Sequence, residues 1–186
     1  YVPVRDDFVV DVAALCATDR HVLLANPNSP TGIALGIDEV EKIVASRPER
    51  LVVLDEAYVD YCGKSCVPLV RRHRNLSKSR NLAGAHIGYA IAQADLVKDL
   101  EDIKFAFNPF NLSAPTMAVG IAALSDPEYY RATVANTVRT RESSRAELEA
   151  MGFAVLPSST NFLLASHPSL DARTWCAELR SAGVLT

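Results

Sequence analysis

Short apolar runs alternating with stretches of helical periodicity predict an α/β fold, built on a mostly parallel sheet covered by helices. Two observations carry this. Runs such as Leu51-Val-Val-Leu54 are continuous and apolar, with β-branched Val52 and Val53 at their centre, as strands buried on both faces are. Between them lie segments whose apolar residues recur at three and four positions, the spacing of one helix face. No low-complexity tract, linker or internal repeat interrupts the alternation.

The elements follow in order. His21 to Ala25 (HVLLA) reads as a strand that ends in the loop Asn26-Pro-Asn-Ser-Pro-Thr-Gly32. Residues 38–46 read as a helix, with Asp38 as its cap and Val40, Ile43 and Val44 on one face. Leu51 to Leu54 is a strand, and Ile87 to Ala92 (IGYAIA) is another of the same buried kind. Asp95 to Phe105 and the Ala-rich residues 115–124 read as helices. Glu128 to Met151 gives a long helix closed by Gly152. Strands at Phe153 to Leu156 and Phe162 to Ala165 follow, then an amphipathic helix from about Asp171 to Ala182 that Gly183 ends.

Composition bounds the function. The 186 residues are 49% hydrophobic and 22% charged, with a net charge of −3, which excludes a disordered chain. The acidic balance gives no support for nucleic acid or a membrane surface as partner. No apolar run reaches the roughly 18–20 residues of a membrane helix, and no signal peptide opens the chain. Tyr1 and Thr186 read as the ends of an excerpt. The four cysteines (16, 62, 66 and 176) have no second Cys or His pair to complete a zinc site, so reduced bystanders, no metal and a cytoplasmic location are expected. His21, His73 and His167 lack ligand-spaced neighbours and read as surface or capping residues. Trp175 reads as a core residue, and Arg139, Arg141 and Arg145 as a solvated helix face.

In parallel sheets ligands bind beyond the carboxyl ends of the strands, so the residues directly after strands carry the chemistry. Two motifs fail. Gly63-Lys64-Ser65 resembles the end of a phosphate-binding loop, but Tyr58 stands where its first glycine belongs, and no GxGxxG follows a strand. Three segments remain. The Asn26–Gly32 loop is a rigid turn whose polar side chains can face a ligand, or a plain connection. Leu51–Leu54 runs into Asp55-Glu-Ala-Tyr58; an acid there needs a cationic or protonated partner, unless it is a cap or a solvated strand end. Ser77-Lys78-Ser79-Arg80 sets a lysine among hydroxyls, as a Schiff-base site would, although most lysines are simply exposed.

Jointly the NPNSPTG loop, VVLDEAYVDY and SKSRNLAGAHIGYAI make the chain similar to fold-type I, pyridoxal-phosphate-dependent aminotransferases of class II, most nearly the histidinol-phosphate aminotransferases. The resemblance runs from Val2-Pro3 to Asn161-Phe-Leu-Leu164. It implies a three-layer α/β/α sandwich, a partial large domain over residues 1–165, and the start of a small domain over 166–186. It implies pyridoxal 5′-phosphate as cofactor, L-histidinol phosphate and 2-oxoglutarate as substrates in histidine biosynthesis, and a homodimer. It also implies roles. Lys78 would hold the cofactor as a Schiff base and move the substrate proton, Asp55 would pair with the pyridinium nitrogen, and Tyr58 would bond its 3′ oxygen. Ser77 would contact the phosphate, as would the residue at His86, while Ser29 or Asn28 would stand near the 3′ oxygen.

Three departures from that pattern stand out. Ser29 replaces an asparagine that reaches the 3′ oxygen, and Asn28 beside it is a candidate substitute. His86 replaces an arginine, trading a permanent bidentate cation for one charged part of the time. From Asp55 to Lys78 is 23 positions, about seven fewer than the pattern, and the lysine-bearing strand is what is short. Either residues are absent there, or the chain is a decayed relative, or Val67 to Val70 serves as a replacement strand; the intact flanks favour the first. The resembled enzymes also use a Gly/Ser-rich phosphate loop and a small-domain arginine that this sequence lacks. Alternatives are therefore a degenerate domain without activity, and an aromatic amino acid aminotransferase or threonine-phosphate decarboxylase relative.

Overall fold

A computed structural model describes residues 1–69, 72–75 and 78–186, without the side chains of Val67 and residues 72–75. The helices are α1 (Val12–Ala17), α2 (Ile37–Ala45), α3 (Ala94–Phe107), α4 (Ala114–Ser125), α5 (Pro127–Ala150) and α6 (Ala172–Ser181). The strands β1 (Val22–Ala25), β2 (Val52–Asp55), β3 (Arg72–Asn75) and β4 (Gly88–Ile91) lie in that order in one sheet. β1, β2 and β3 run parallel and β4 antiparallel, which is the mostly parallel sheet expected. A separate antiparallel pair joins β5 (Ala154–Val155) to β6 (Ala165–Ser166).

The core gathers on the first two strands. Val22 and Leu24 of β1 and Val52 and Leu54 of β2 turn one way, as the two-residue strand period requires, and pack on Leu15, Leu35, Val40 and Ile43. Val40 and Ile43, three apart on α2, are fully buried. The cap of α2 is Gly36 rather than Asp38. Glu39 in the first turn accepts the Gly36 N–H at 2.8 Å, so a backbone group outside the helix is satisfied from within it.

Other expectations change too: of the expected strand Phe162 to Ala165, Ala165 alone is strand, in β6. The position between β2 and β4 is filled by Arg72-His-Arg-Asn75, while Val67–Leu69 forms a 3-10 turn and not a replacement strand. Strand edges facing each other cannot stay unpaired, so the polar run is drawn in: Asp55 pairs with His73, and Asn75 with Gly88. β4 is not buried on both faces. As an outer strand it leaves Gly88, Tyr89 and Ala90 exposed. Trp175 is half-buried instead of central, with its ring 4.9 Å from that of Phe153 between centroids. All four cysteines are free thiols. Among the described residues no helix is long and apolar enough to cross a membrane.

Candidate functional site

The ends of β1 and β2 are level, with Ala25 opposite Asp55, and the Asn26 N–H donates to the Asp55 carbonyl at 2.9 Å. The loop after β1 therefore starts beside the acid that ends β2. Its first side chain turns inward: Asn26 is buried, accepts the Leu35 N–H at 2.8 Å and donates to the Leu35 carbonyl. Thr31 donates its hydroxyl to Asn28 Oδ1 at 3.0 Å, and Gly32 N–H donates to the Asn28 carbonyl. Asn28 thus locks the loop internally with the oxygen it would otherwise offer a ligand. Ser29 is exposed.

Gly32 is required at its position. Its φ of +78° suits glycine, and a Cβ there would stand 2.9 Å from Ser158 Oγ. The Gly32 carbonyl also accepts the Ser159 N–H at 2.7 Å, so the loop at 158–162 closes over it. That second loop carries the fully buried Thr160, whose carbonyl accepts from Arg141 at 2.8 Å. Arg141 is therefore not part of a solvated face. Its side chain is 10% exposed and ties α5 to the loop.

Asp55 is exposed at the strand end, and its Oδ1 accepts the Ala57 N–H at 2.9 Å. Among the described residues that is the carboxylate's one hydrogen bond. The buried acid is its neighbour Glu56, which accepts from Ser65 Oγ at 2.9 Å and from the Cys66 N–H at 2.7 Å. Tyr58 is half-buried, with the Phe162 ring edge-on at 5.1 Å. Lys78 Nζ lies 5.6 Å from the centroid of the Tyr58 ring. A phenol and an amine that the sequence separates by 20 positions are thus neighbours.

The next two residues hold the lysine's turn. Ser79, almost fully buried, donates to Asp60 Oδ2 at 2.6 Å. Arg80 donates to the Ala123 carbonyl and lies over the Tyr130 ring at 4.2 Å. Beside this turn, burial pushes the Tyr61 phenol above its ordinary pKa, with Asp60 and Tyr58 adding to the effect.

Of the expected site residues, Asp55, Tyr58, Lys78 and the Asn26–Gly32 loop share this end of the sheet. His86 is exposed, in left-handed backbone at φ +50°, and its side chain makes no hydrogen bond to them among the described residues. Ser77 lies outside the described residues. A cleft of about 740 Å³ opens along β1 and reaches Asn28, Ser29 and Thr31, but Asp55, Tyr58 and Lys78 do not line it. Glu56, Asp60, Ser79 and Arg141 escape a reading of the sequence because each takes its partner from another segment. Glu56, Asp60, Ser79 and Phe162 do lie within the quoted motifs, but the motifs gave them no role.

The profile of the family described as aminotransferase class I and II matches residues 1–185. The chain is 42% identical over 193 residues to a protein of Bordetella parapertussis named histidinol-phosphate aminotransferase 1, and 40% identical over 199 residues to one of Aromatoleum aromaticum named histidinol-phosphate aminotransferase. Each comparison covers 99% of this chain and 54% of the relative, so the chain spans about half the length of the curated relatives it matches. The aligned stretches exceed the 186 residues present, so the relatives hold extra residues inside the matched region. A structure of histidinol-phosphate aminotransferase from Sinorhizobium meliloti, in complex with pyridoxal-5′-phosphate, superposes with a TM-score of 0.88 at 30% identity. It is matched over 99% of this chain and 54% of that one.

Proposed function

Because the chain belongs to the aminotransferase class I and II family, we propose that it holds pyridoxal 5′-phosphate on Lys78 and supplies the lysine-bearing part of a histidinol-phosphate aminotransferase. The observation that carries this reading is the Lys78 amine beside the Tyr58 ring, on the turn that follows Asp55. The relatives' names supply the substrates: L-histidinol phosphate as amino donor, with 2-oxoglutarate as the acceptor the resemblance implies.

The residues suit the cofactor's chemistry. Asp55 keeps a carboxylate oxygen without a partner among the described residues, at the strand end where a protonated ring nitrogen would need one. The Tyr58 hydroxyl makes no hydrogen bond among the described residues and would bond the 3′ oxygen of the cofactor. When bound, the cofactor supplies an electron sink for a carbanion at the substrate α carbon. Asp55 holds the proton on the ring nitrogen. Lys78 Nζ takes the proton from the α carbon and returns it on the other side of the transfer. Residues 1–165 form the cofactor-binding part and 166–186 begin a small domain. A cytoplasmic homodimer completes the reading, supported by the exposed apolar side chains of α3 and α4, such as Ile103, Phe107, Met117 and Ile121.

A second reading, a domain that keeps the fold without the chemistry, is favoured by the exposed Ser29 and by His86, whose side chain makes no hydrogen bond to a site residue among the described residues. One experiment separates them. The purified chain is mixed with pyridoxal phosphate, reduced with borohydride and mapped by peptide mass. The adduct is expected on Lys78. An adduct spread over Lys42, Lys64, Lys98 and Lys104 would establish the second reading instead.

A further inference from the structure

We propose that Asp60 and Ser79 form a latch that positions Lys78 over Tyr58, an inference that rests on the reading of Lys78 as the cofactor lysine. The strand before the lysine ends at Asn75, three positions short of it, after pairing with β4 along its length and with β2 at Leu54 and Asp55. The contacts nearest the lysine among the described residues come from the residues that follow it.

Ser79 is the first of these. Its hydroxyl is buried, and a buried hydroxyl is stable only when bonded. It donates to Asp60 at 2.6 Å, the short distance of a hydrogen bond to a carboxylate. Asp60 belongs to the 3-10 turn Val59–Tyr61, and Tyr58 is the residue that opens that turn, its carbonyl accepting the Tyr61 N–H at 3.1 Å. One turn therefore presents two contacts to two consecutive residues: the Tyr58 ring to Lys78, and the Asp60 carboxylate to Ser79. Two fixed points orient a segment where one would let it pivot. Arg80 adds a third anchor, but to Ala123 and Tyr130, on α4 and α5, away from Tyr58. Without the Ser79–Asp60 bond the segment would stay attached to the helices while its register with the Tyr58 turn was lost.

Asp60 and Ser79 are thus positioning residues that act through Lys78. The test uses the whole chain and the variants Ser79→Ala, Asp60→Ala, Asp60→Asn and the double alanine variant. Two quantities are read: the pyridoxal phosphate concentration that half-labels Lys78 under borohydride, and amide hydrogen exchange of peptides covering 78–80 without cofactor. Loss of a hydrogen bond to a carboxylate is expected to raise the half-labelling concentration about tenfold and to speed exchange by a similar factor. The double variant should lose no more than either single one, because the two residues make one bond. Asp60→Asn, which keeps an acceptor, should recover part of the loss. Unchanged exchange in Ser79→Ala, or losses that multiply in the double variant, would overturn the latch. Failure of the unsubstituted chain to select Lys78 would instead overturn the cofactor reading, and the exchange measurement would still decide the latch.

Discussion

The first 69 residues and the stretch from Lys78 onward are built differently. All the large apolar side chains that are fully shielded among the described residues belong to the first, from Leu15 to Cys66. Beyond residue 78 the buried positions are Ser79, Gly120 and Thr160, two of them polar and one a glycine. There the helices carry Leu100, Ile103, Phe105, Met117, Ile121 and Leu124 on open faces. The first region stands on burial of hydrocarbon, the second on hydrogen bonds and ring contacts that lash helices to loops. The candidate site lies where they meet, with Asp55 and Tyr58 from the first and Lys78 from the second. The chemistry thus depends on the weaker half keeping its place against the stronger.

The largest effect should come from Arg50. Its guanidinium is buried and donates to the carbonyls of Leu15, Thr18 and Ile43 and to Ser46 Oγ, gathering the carboxyl ends of α1 and α2. A cation suits the negative end of a helix, and here it serves two. Arg50→Ala would strand three carbonyls around a hole and should cost on the order of 3–4 kcal/mol in urea or thermal unfolding. Arg50→Lys should recover less than half, since an ammonium lacks the fork that reaches both helices. A loss under about 1 kcal/mol for Arg50→Ala would mean that the first region does not depend on this residue.

A paired substitution measures the difference directly. Ile43 is fully buried, and Ile43→Ala should cost about 3 kcal/mol through lost burial and the cavity left behind. Ile121 on α4 is 66% exposed, so Ile121→Ala should stay within about 0.5 kcal/mol. Equal losses would show that the open faces are covered in solution, by a second copy of the chain or another partner. Dilution would then lower the cost at Ile121 and leave that at Ile43 unchanged.

The same division decides what the sequence could show. Elements marked by local rules were legible: β1 and β2 from their apolar runs, α5 from its period and Gly152, α6 from its amphipathic period and Gly183. The strand end at Asp55 was legible too, because a buried run that meets an acid is a local event. Arg72–Asn75 was not, since nothing in a polar run announces a sheet position that only its neighbours require. Glu56, Arg50 and Arg141 look like ordinary surface charges in sequence. Each has a partner 10 to 35 residues away, which no period encodes. The burial of β4 was misjudged for the converse reason, as an apolar strand at an edge reads the same as one at the centre.

The smallest effect belongs to the last helix and sharpens the comparison at its soft end. Asp171 caps α6 by accepting both the Thr174 N–H and its hydroxyl at 2.9 Å, and these bonds hold its carboxyl below the ordinary range. A carboxyl lowered in the folded state stabilises that state above its unfolded value, near 3.9, and the contribution disappears as pH falls through the lower folded value. The group is exposed, so solvent screens the gain and the helix should fray without the chain unfolding. Trp175, the single tryptophan, sits in α6 against Phe153, and its fluorescence reports that fraying alone. The signal should hold from pH 7 to about pH 4 and change below it, with Asp171→Ala showing the change already at pH 7 and Asp171→Asn flattening it. A transition between pH 6 and 7 would move the control elsewhere. Phe153 also packs against His167, with ring centroids 4.9 Å apart, and a signal that Asp171→Ala leaves unchanged would mean that the helix is held through that contact rather than by its cap.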